Sequence, residues 1–423
     1  MVDVENKDNR PVRAYLVGRS DNRGLSDDEI LRELANLTKT AGLVVVGSIV
    51  LHRYDPSPRF GMGSGKTLEI SSLAKEADAE EIIFDFEITP TQQRNWEAET
   101  GLTCLDRQEV IIRIFASRAK TREAVLQIQL ASMEYSLPRL THAHEYLSQQ
   151  RGGTFGNKGA GETQLELDRR TVMNRIALLK KEIKAVRSDR ATMRKRRERI
   201  PVPSCAIVGY TNAGKSSLLN ALTNAGVLSE DTLFATLDPT TRRFTLPTGR
   251  KMLLTDTVGF IRNLPHTLVD AFHATLEEAA FADAILIILD AADPDIAIHL
   301  STTREVLTEV GASERPYLIV LNKVDMIDEP LRARLAEEYP VAVFISTKTK
   351  EGFERVVFEM EALLEGEDHS YKIPSSRSDL VAFAHREGSV FSVDYVEDSV
   401  LLRVRSSGRL LAALAPFIED VDV

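Results

Sequence analysis

Cysteine is nearly absent. Cys104 and Cys205 are the only two in 423 residues, and neither sits in a C-x-x-C or histidine-flanked spacing, which excludes a disulfide framework and offers no zinc site. Long apolar runs are missing as well. The longest clean one is Ala284–Leu289, far short of the roughly 20 residues that span a bilayer. Met1–Pro11 is polar and carries Asp3, Glu5 and Asp8, so it lacks the basic start and apolar core of a signal peptide. The expectation is a soluble, cytoplasmic chain that is monomeric when free. Nor is there a surplus of positive charge: 53 Lys and Arg stand against 63 Asp and Glu, a net charge of −10. Over the whole chain that argues against a polyanionic partner.

What is present is enough apolar residue, 43%, to build cores in two to four domains at about 150 residues each. In residues 1–116, Arg13–Val17, Leu43–Leu51 and Glu81–Phe86 read as strands. Asp27–Thr40, opened by Ser26 as N-cap, Leu68–Glu76 and Pro90–Glu99 read as helices. Their alternation predicts an N-terminal α/β domain with a largely parallel sheet. From 117 to 200 the period changes to heptads. Leu126, Leu130, Met133, Leu137, Leu140, His144 and Leu147 mark one seam, and Val172, Ile176, Leu179, Ile183 and Val186 a second. A loop over 151–163, containing Gly152, Gly153, Gly156, Gly159 and Gly161, separates them. The simplest arrangement is an antiparallel coiled-coil hairpin, its first helix kinked by Pro138.

Residues 201–366 return to buried-type strands, at Cys205–Val208, Met252–Thr255, Ile285–Leu289, Tyr317–Leu321 and Val341–Ile345, with helical segments between them. This is a second, larger α/β domain. Gly366–Ser378 reads as a polar linker. Residues 379–423 read as a small C-terminal α+β module, with a hairpin over Glu397-Asp398 and a closing helix Gly408–Ile418.

Within the larger domain, Gly209-Tyr210-Thr211-Asn212-Ala213-Gly214-Lys215-Ser216 matches G-x-x-x-x-G-K-[ST] between an apolar strand and a helix that starts at Ser217. In such a P-loop the backbone N–H groups wrap phosphates at a helix N-terminus, Lys215 neutralises β/γ oxygens and Ser216 offers a hydroxyl to Mg²⁺. Gly61-Met62-Gly63-Ser64-Gly65-Lys66-Thr67 looks similar, but five residues before Gly65 stands Phe60, and His52–Arg59 is polar and proline-broken. A flexible surface loop is the plainer reading there, beside a second phosphate contact.

Asp256-Thr257-Val258-Gly259 ends a strand, where Asp256 can hold a magnesium-bound water and the Gly259 N–H can approach a γ-phosphate. Asn322-Lys323-Val324-Asp325 ends another, and Asp325 can accept two hydrogen bonds from a guanine edge. Ser346-Thr347-Lys348 follows the last strand and can close over guanine O6. In this order the four motifs resemble the guanine-nucleotide domain of translation-factor GTPases, with GTP/GDP and Mg²⁺ as ligands. Lys215, Asn212 and Gly259 are the residues assigned to the chemistry.

Phe260 stands where Ras-like proteins place the water-orienting Gln, so intrinsic hydrolysis is expected to be slow. His266 is close enough in sequence to be considered for that task, beside the plainer reading of a structural or exposed His. Asn212 fits two readings: a ligand to an activating K⁺, as in potassium-dependent GTPases with Asn at this position, or a turn residue. The segment from Asp231 to Arg242 should supply one Thr hydroxyl to the metal, and spacing alone leaves Thr232, Thr236, Thr240 and Thr241 open.

The glycine loop with its flank, Arg151 to Arg170, together with Phe234-Ala235-Thr236-Leu237-Asp238 and Leu264-Pro265-His266, resembles the HflX family of ribosome-associated GTPases over about residues 10 to 365. The resemblance implies a P-loop GTPase domain behind an N-terminal α/β domain and a hairpin. It favours Thr236 as the metal-sensing threonine and puts Phe234–Asp238 among the nucleotide-binding residues. It also implies that GTP-bound protein docks on the large ribosomal subunit, that Arg151–Gly161 contacts its rRNA, and that stalled or idle ribosomes are split under stress. Gly63-Ser64-Gly65-Lys66 is a family element, and no complete ATP motif accompanies it.

Charge read locally agrees. Arg169–Arg199 carries 13 Lys and Arg against Glu182, Asp189 and Glu198, a strongly basic stretch beside the glycine loop and a fit for RNA. Two rivals stand beside this reading. One is an RNA-binding remodeller gated by GTP. The other is a GTPase serving a membrane transporter or a tRNA-modifying enzyme, of which the first lacks a membrane segment here and the second leaves the glycine loop unexplained.

Overall fold

The computed structural model describes residues 10–20, 26–53, 56–140, 158–197, 202–223, 233–262, 276, 278–365, 367–387, 389–396, 398–406 and 408–418. His144, Leu147, Arg151 to Asn157, Thr232 and Leu264–His266 lie outside them. The chain divides into two compact units. The first takes in Met1–Ser188 and Thr232–Phe234, and the second takes in Asp189–Asp231, Ala235–Arg262 and Phe272–Val423.

In the first unit β1 (Arg13–Arg19), β2 (Val44–Leu51), β3 (Glu81–Phe84) and β4 (Thr103–Asp106) form one parallel sheet in the order β2-β1-β3-β4. β4 is a strand the sequence reading did not include: four residues offer too little periodicity to see. α1 (Asp27–Thr40) begins where expected, because Ser26 and Glu29 form a reciprocal capping box. α2 (Ser64–Glu76) begins earlier than expected, so Ser64–Thr67 is the first turn of a helix and not a flexible loop. α3 (Pro90–Thr100) is capped by Thr89 and Gln92. It carries the single Trp, fully buried Trp96, whose Nε1–H donates to the Phe60 carbonyl at 2.9 Å.

α4 (Arg107–Arg118) follows, then the two heptad helices α5 (Arg122–Leu140) and α6 (Lys158–Arg197). Pro138 lies inside α5, and Gly159 and Gly161, expected in the glycine loop, belong to the first turn of α6. The two seams meet through buried Leu126, Leu179 and Ile183, flanked by Leu130, Met133 and Val186. Three buried side chains at about 1.5–3 kcal/mol each are a thin core. Polar contacts from α5 to the sheet domain add to it: the Tyr135 hydroxyl donates to Asp106 Oδ1 at 3.0 Å, and Arg139 bonds Asp106 Oδ2, Gln93 Oε1 and the Ile88 carbonyl. Burial pushes the Asp106 carboxyl up, while Arg139 and Tyr135 oppose that.

In the second unit, the order β10-β9-β8-β5-β7-β6 runs through β5 (Ser204–Gly209), β6 (Thr240–Thr245), β7 (Lys251–Asp256), β8 (Ala284–Asp290), β9 (Tyr317–Asn322) and β10 (Val343–Phe344). All neighbours are parallel except β6 with β7. β6 is polar and half exposed, the composition of an edge, and it occupies sequence expected to be switch segment. α7 (Lys215–Thr223), α8 (Ile296–Glu309), α9 (Glu329–Glu338) and α10 (Phe353–Glu365) belong to the same α/β part.

The supposed linker after Gly366 is instead β11 (Glu367–Pro374), which pairs with β13 (Ser399–Ser406); β12 (Ser389–Val396) completes the sheet. From β11, Tyr371 and Ile373 face the core, and two apolar positions are too short an alternation to stand out in the sequence. Among the described residues no helix is long and apolar enough to cross a membrane.

Candidate nucleotide site

Parallel order brings the carboxyl ends of β5, β7, β8 and β9 to one edge, the place where open α/β sheets bind ligands. β5 delivers the P-loop, β7 delivers Asp256, β8 delivers Asp290 and β9 delivers Asn322. The turn from β5 into α7 needs unusual backbone. Gly214 has φ +96°, and a Cβ on it would lie 2.1 Å from Asn322 Nδ2, so only glycine fits. Asn322 uses that approach to donate to the Ala213 carbonyl at 2.9 Å, and its Oδ1 accepts the Thr347 N–H at 3.1 Å. Asn212 is exposed with φ +61°, a conformation Asn tolerates better than most residues.

Lys215 is buried, and its Nζ donates to the Tyr210 carbonyl at 2.6 Å. Burial takes its ammonium down to about 8, partly opposed by the Asp256 carboxylate. Gly259 lies alongside: a Cβ there would come within 2.8 Å of Thr211 Cα and 2.9 Å of Lys215 Nζ. The bare backbone of Gly259 therefore faces the P-loop lysine directly.

Three oxygens converge next to Lys215. Ser216 Oγ and Thr236 Oγ1 are 2.7 Å apart, and they donate to Asp256 Oδ2 at 2.6 and 2.7 Å. Asp256 Oδ1 is buried and makes no hydrogen bond among the described residues. Burial pushes the Asp256 carboxyl up, against Lys215, Ser216 and Thr236. Two hydroxyls and a carboxylate with an unused oxygen form a hard-donor set of the kind Mg²⁺ takes.

Of the threonines that spacing left open, the structure brings Thr236 to this cluster. Thr240 begins β6, and Thr241 meets Thr255 at 3.0 Å. Thr257 is turned inward to the Ile207 carbonyl at 2.8 Å, Val258 and Leu237 are buried, and Ala235, Asp238 and Ser217 are half-buried.

Phe234 is placed elsewhere. It is buried within the first unit at φ +55°, with its ring edge-on to Phe115 at 4.6 Å and its carbonyl accepting from Arg118 at 2.9 Å. Its expected place among the nucleotide-binding residues is not what the geometry gives, because an apolar ring packs where apolar surface is available.

At the far end of the site the Ser346 hydroxyl donates to Asp325 Oδ1 at 2.7 Å, and its Oγ accepts the Lys348 N–H at 3.2 Å. The Thr347 and Lys348 N–H groups are thus both engaged within the motifs. Val324 N–H bonds the Ile345 carbonyl, and Lys323, at φ +66°, pairs with Asp290 at 2.7 Å. Asp290 was missed in the sequence, although its strand-end position, shared with Asp256 and Asn322, was a usable signal.

Residues 204–323 match the family described as 50S ribosome-binding GTPase, 28–116 the GTP-binding GTPase N-terminal family and 118–197 the GTP-binding GTPase Middle Region. The GTPase HflX of Akkermansia muciniphila is 43% identical over 405 residues, covering 92% of this chain and 93% of its own. The chain belongs to the HflX family of GTPases. The HflX GTPase of Escherichia coli is 39% identical, over 90% of each chain. A GTP-binding protein from the archaeon Sulfolobus solfataricus, solved in complex with GDP, is 26% identical and covers 83% of this chain and 98% of its own, with a TM-score of 0.46. As an HflX-family member this chain is a P-loop GTPase that binds GTP and GDP and hydrolyses GTP.

Proposed function

We propose that this HflX-family GTPase, in its GTP-bound form, docks on the large ribosomal subunit and separates stalled or idle ribosomes under stress, with hydrolysis permitting release. The observation that carries the reading is the match of 204–323 to a family described as 50S ribosome-binding GTPases. The basic stretch supports it: Arg169, Arg170, Lys181 and Lys184 are exposed on α6. The protein works as a cytoplasmic monomer, and rRNA is contacted by Arg151–Gly161 and α6.

In the GTPase domain Lys215 neutralises the β/γ oxygens, backbone N–H groups of Gly209–Ser217 wrap the phosphates, and Asn322 and Asp325 hold guanine beside Ser346–Lys348. Ser216 and Thr236 hold Mg²⁺, with Asp256 carrying its water; the ion supplies charge neutralisation at the β and γ oxygens. Gly259 presents its N–H to the γ-phosphate. Asn212 contributes a ligand for K⁺, the cation that stands in for absent positive charge. Phe260 is buried, and its N–H and carbonyl bond Gly209 and Thr211, so its side chain orients no water and hydrolysis by the free protein is slow.

Co-sedimentation with purified subunits tests this. The expected result is binding to the large subunit with a non-hydrolysable GTP analogue, weaker binding with GDP, and a steep loss as salt rises. Equal binding to both subunits, or none, would overturn the reading, and binding to bare RNA alone would favour the GTP-gated remodeller. Equal GTPase rates in KCl and NaCl would remove K⁺.

A further inference from the structure

Tyr210, second residue of the P-loop, does more than occupy a variable position. Its ring stacks on that of His299 with centroids 3.6 Å apart and planes 12° from parallel, and both residues are buried. Its hydroxyl oxygen accepts the backbone N–H of Arg262 at 2.7 Å. On either side of it in the chain, the Gly209 carbonyl accepts the Phe260 N–H at 3.1 Å and the Thr211 N–H donates to the Phe260 carbonyl at 2.9 Å. One P-loop residue and its two neighbours thereby hold the segment just after Gly259 by three hydrogen bonds.

The circuit closes on α8. Arg262 Nη1 lies 3.9 Å from Asp295 Oδ2, and His299, one helical turn beyond Asp295, lies with Nδ1 3.7 Å from Asp293 Oδ2. His299 is fixed in turn by helix packing, and its carbonyl accepts the Thr303 hydroxyl at 2.7 Å. Three segments distant in sequence, the P-loop, the segment after Gly259 and the start of α8, thus meet through one stacked pair.

We propose that His299 is a positioning residue for GTP hydrolysis: by stacking on Tyr210 it holds Phe260–Arg262 against the P-loop and so keeps the Gly259 N–H beside Lys215 Nζ. This rests on the roles given above to Lys215 and Gly259. The two groups are already adjacent, and a γ-phosphate reached by both gains most when neither must be re-ordered at the moment of reaction. Loss of the stack leaves the Tyr210 ring, and with it the acceptor for the Arg262 N–H, less firmly placed, while the strand ends that carry the P-loop and Asn322 keep their own hydrogen bonds. The effect therefore falls on turnover and not on nucleotide binding. Burial pushes the His299 imidazole down, helped by Arg262 and opposed by Asp293, Asp295 and Asp290. The stack needs the flat face of the ring, which a phenyl ring can supply.

Single-turnover GTP hydrolysis by the full chain, normalised to binding sites counted with a fluorescent GDP, tests the assignment. His299→Ala is expected to lower the rate per competent site about tenfold, with KM for GTP within about twofold, the pattern of an interaction that counts only in the transition state. His299→Phe should recover most of that loss. Tyr210→Phe, which keeps the ring and removes the acceptor for Arg262 N–H, should lose a similar factor, and adding His299→Ala to it should cost less than twofold more. A rate per competent site within twofold of the parent for His299→Ala, no recovery in His299→Phe, or fully multiplicative losses in the double variant would each overturn the proposal. Because the rate is normalised to sites that bind GDP, a variant that simply unfolds loses sites and not rate.

Discussion

The chain carries two glycine-rich segments with a lysine at the start of a helix, Gly209–Ser216 running into α7 and Gly61–Thr67 running into α2, and their surroundings differ throughout. In the first, Gly214 sits at positive φ with no room for a Cβ, and Lys215 is buried against the Tyr210 carbonyl. In the second, a Cβ on Gly63 or Gly65 would meet nothing within 4 Å, and Lys66 reaches Glu69 along its own helix at 2.9 Å. Thr67 differs in the same way from Ser216: its hydroxyl bonds the Gly63 carbonyl one turn back, whereas Ser216 points at Asp256. A phosphate loop is thus a matter of glycine at positive φ with strand-end side chains such as Asn322 and Asp256 closing on it, whereas Gly63 and Gly65 have neither a positive φ nor a close neighbour.

The largest expected contrast is between the two lysines. Lys215→Ala should reduce GTP turnover by at least about 100-fold, since it deletes a preorganised cation from the phosphate site, while Lys66→Ala should stay within twofold of the parent in a steady-state GTPase assay. Comparable losses in both would mean the second segment also handles the nucleotide. Next comes Gly214→Ala. It places a methyl 2.1 Å from Asn322 Nδ2 at φ +96°, so nucleotide binding, read by titration with a fluorescent GDP, should weaken more than tenfold through both strain and loss of the Asn322–Ala213 bond.

Much of this contrast was legible in the sequence. The P-loop and its companions could be found because each is a strand-end motif whose spacing the phosphate and the guanine dictate, and the wrong spacing at Phe60 already set the second segment apart. The start of α2 was misplaced because glycines at a helix entry look like loop glycines until the helix itself is seen. Spacing alone left four threonines open and the family resemblance favoured Thr236; among the described ones, Thr236 is the one that reaches Ser216 and Asp256. Phe234, and the stack of Tyr210 on His299, left no trace in the sequence at all: packing partners 89 and 119 positions apart have no period.

A smaller effect follows pH. With burial holding the Lys215 ammonium near 8 in the free protein, the lysine is charged below that value and loses its proton as pH rises through it. Bound phosphate favours the charged form, so nucleotide binding takes up a proton above pH 8, and the affinity for GDP without magnesium should fall by up to tenfold per pH unit there. A dissociation constant that stays flat from pH 7 to 9.5 would show that the ammonium is charged throughout.

The smallest and most discriminating change is at Gly65, second residue of α2. No atom stands within 4 Å of a Cβ there, and an alanine in a helical turn spares the backbone entropy that glycine loses on folding. Gly65→Ala should therefore stabilise the first unit by about 0.5–1 kcal/mol, a rise of roughly 2–4 °C in its thermal transition, with GTP turnover unchanged. A fall in Tm would mean that a ligand or neighbouring backbone needs the space at Gly65, and the two glycine segments would then be closer in kind than their surroundings make them.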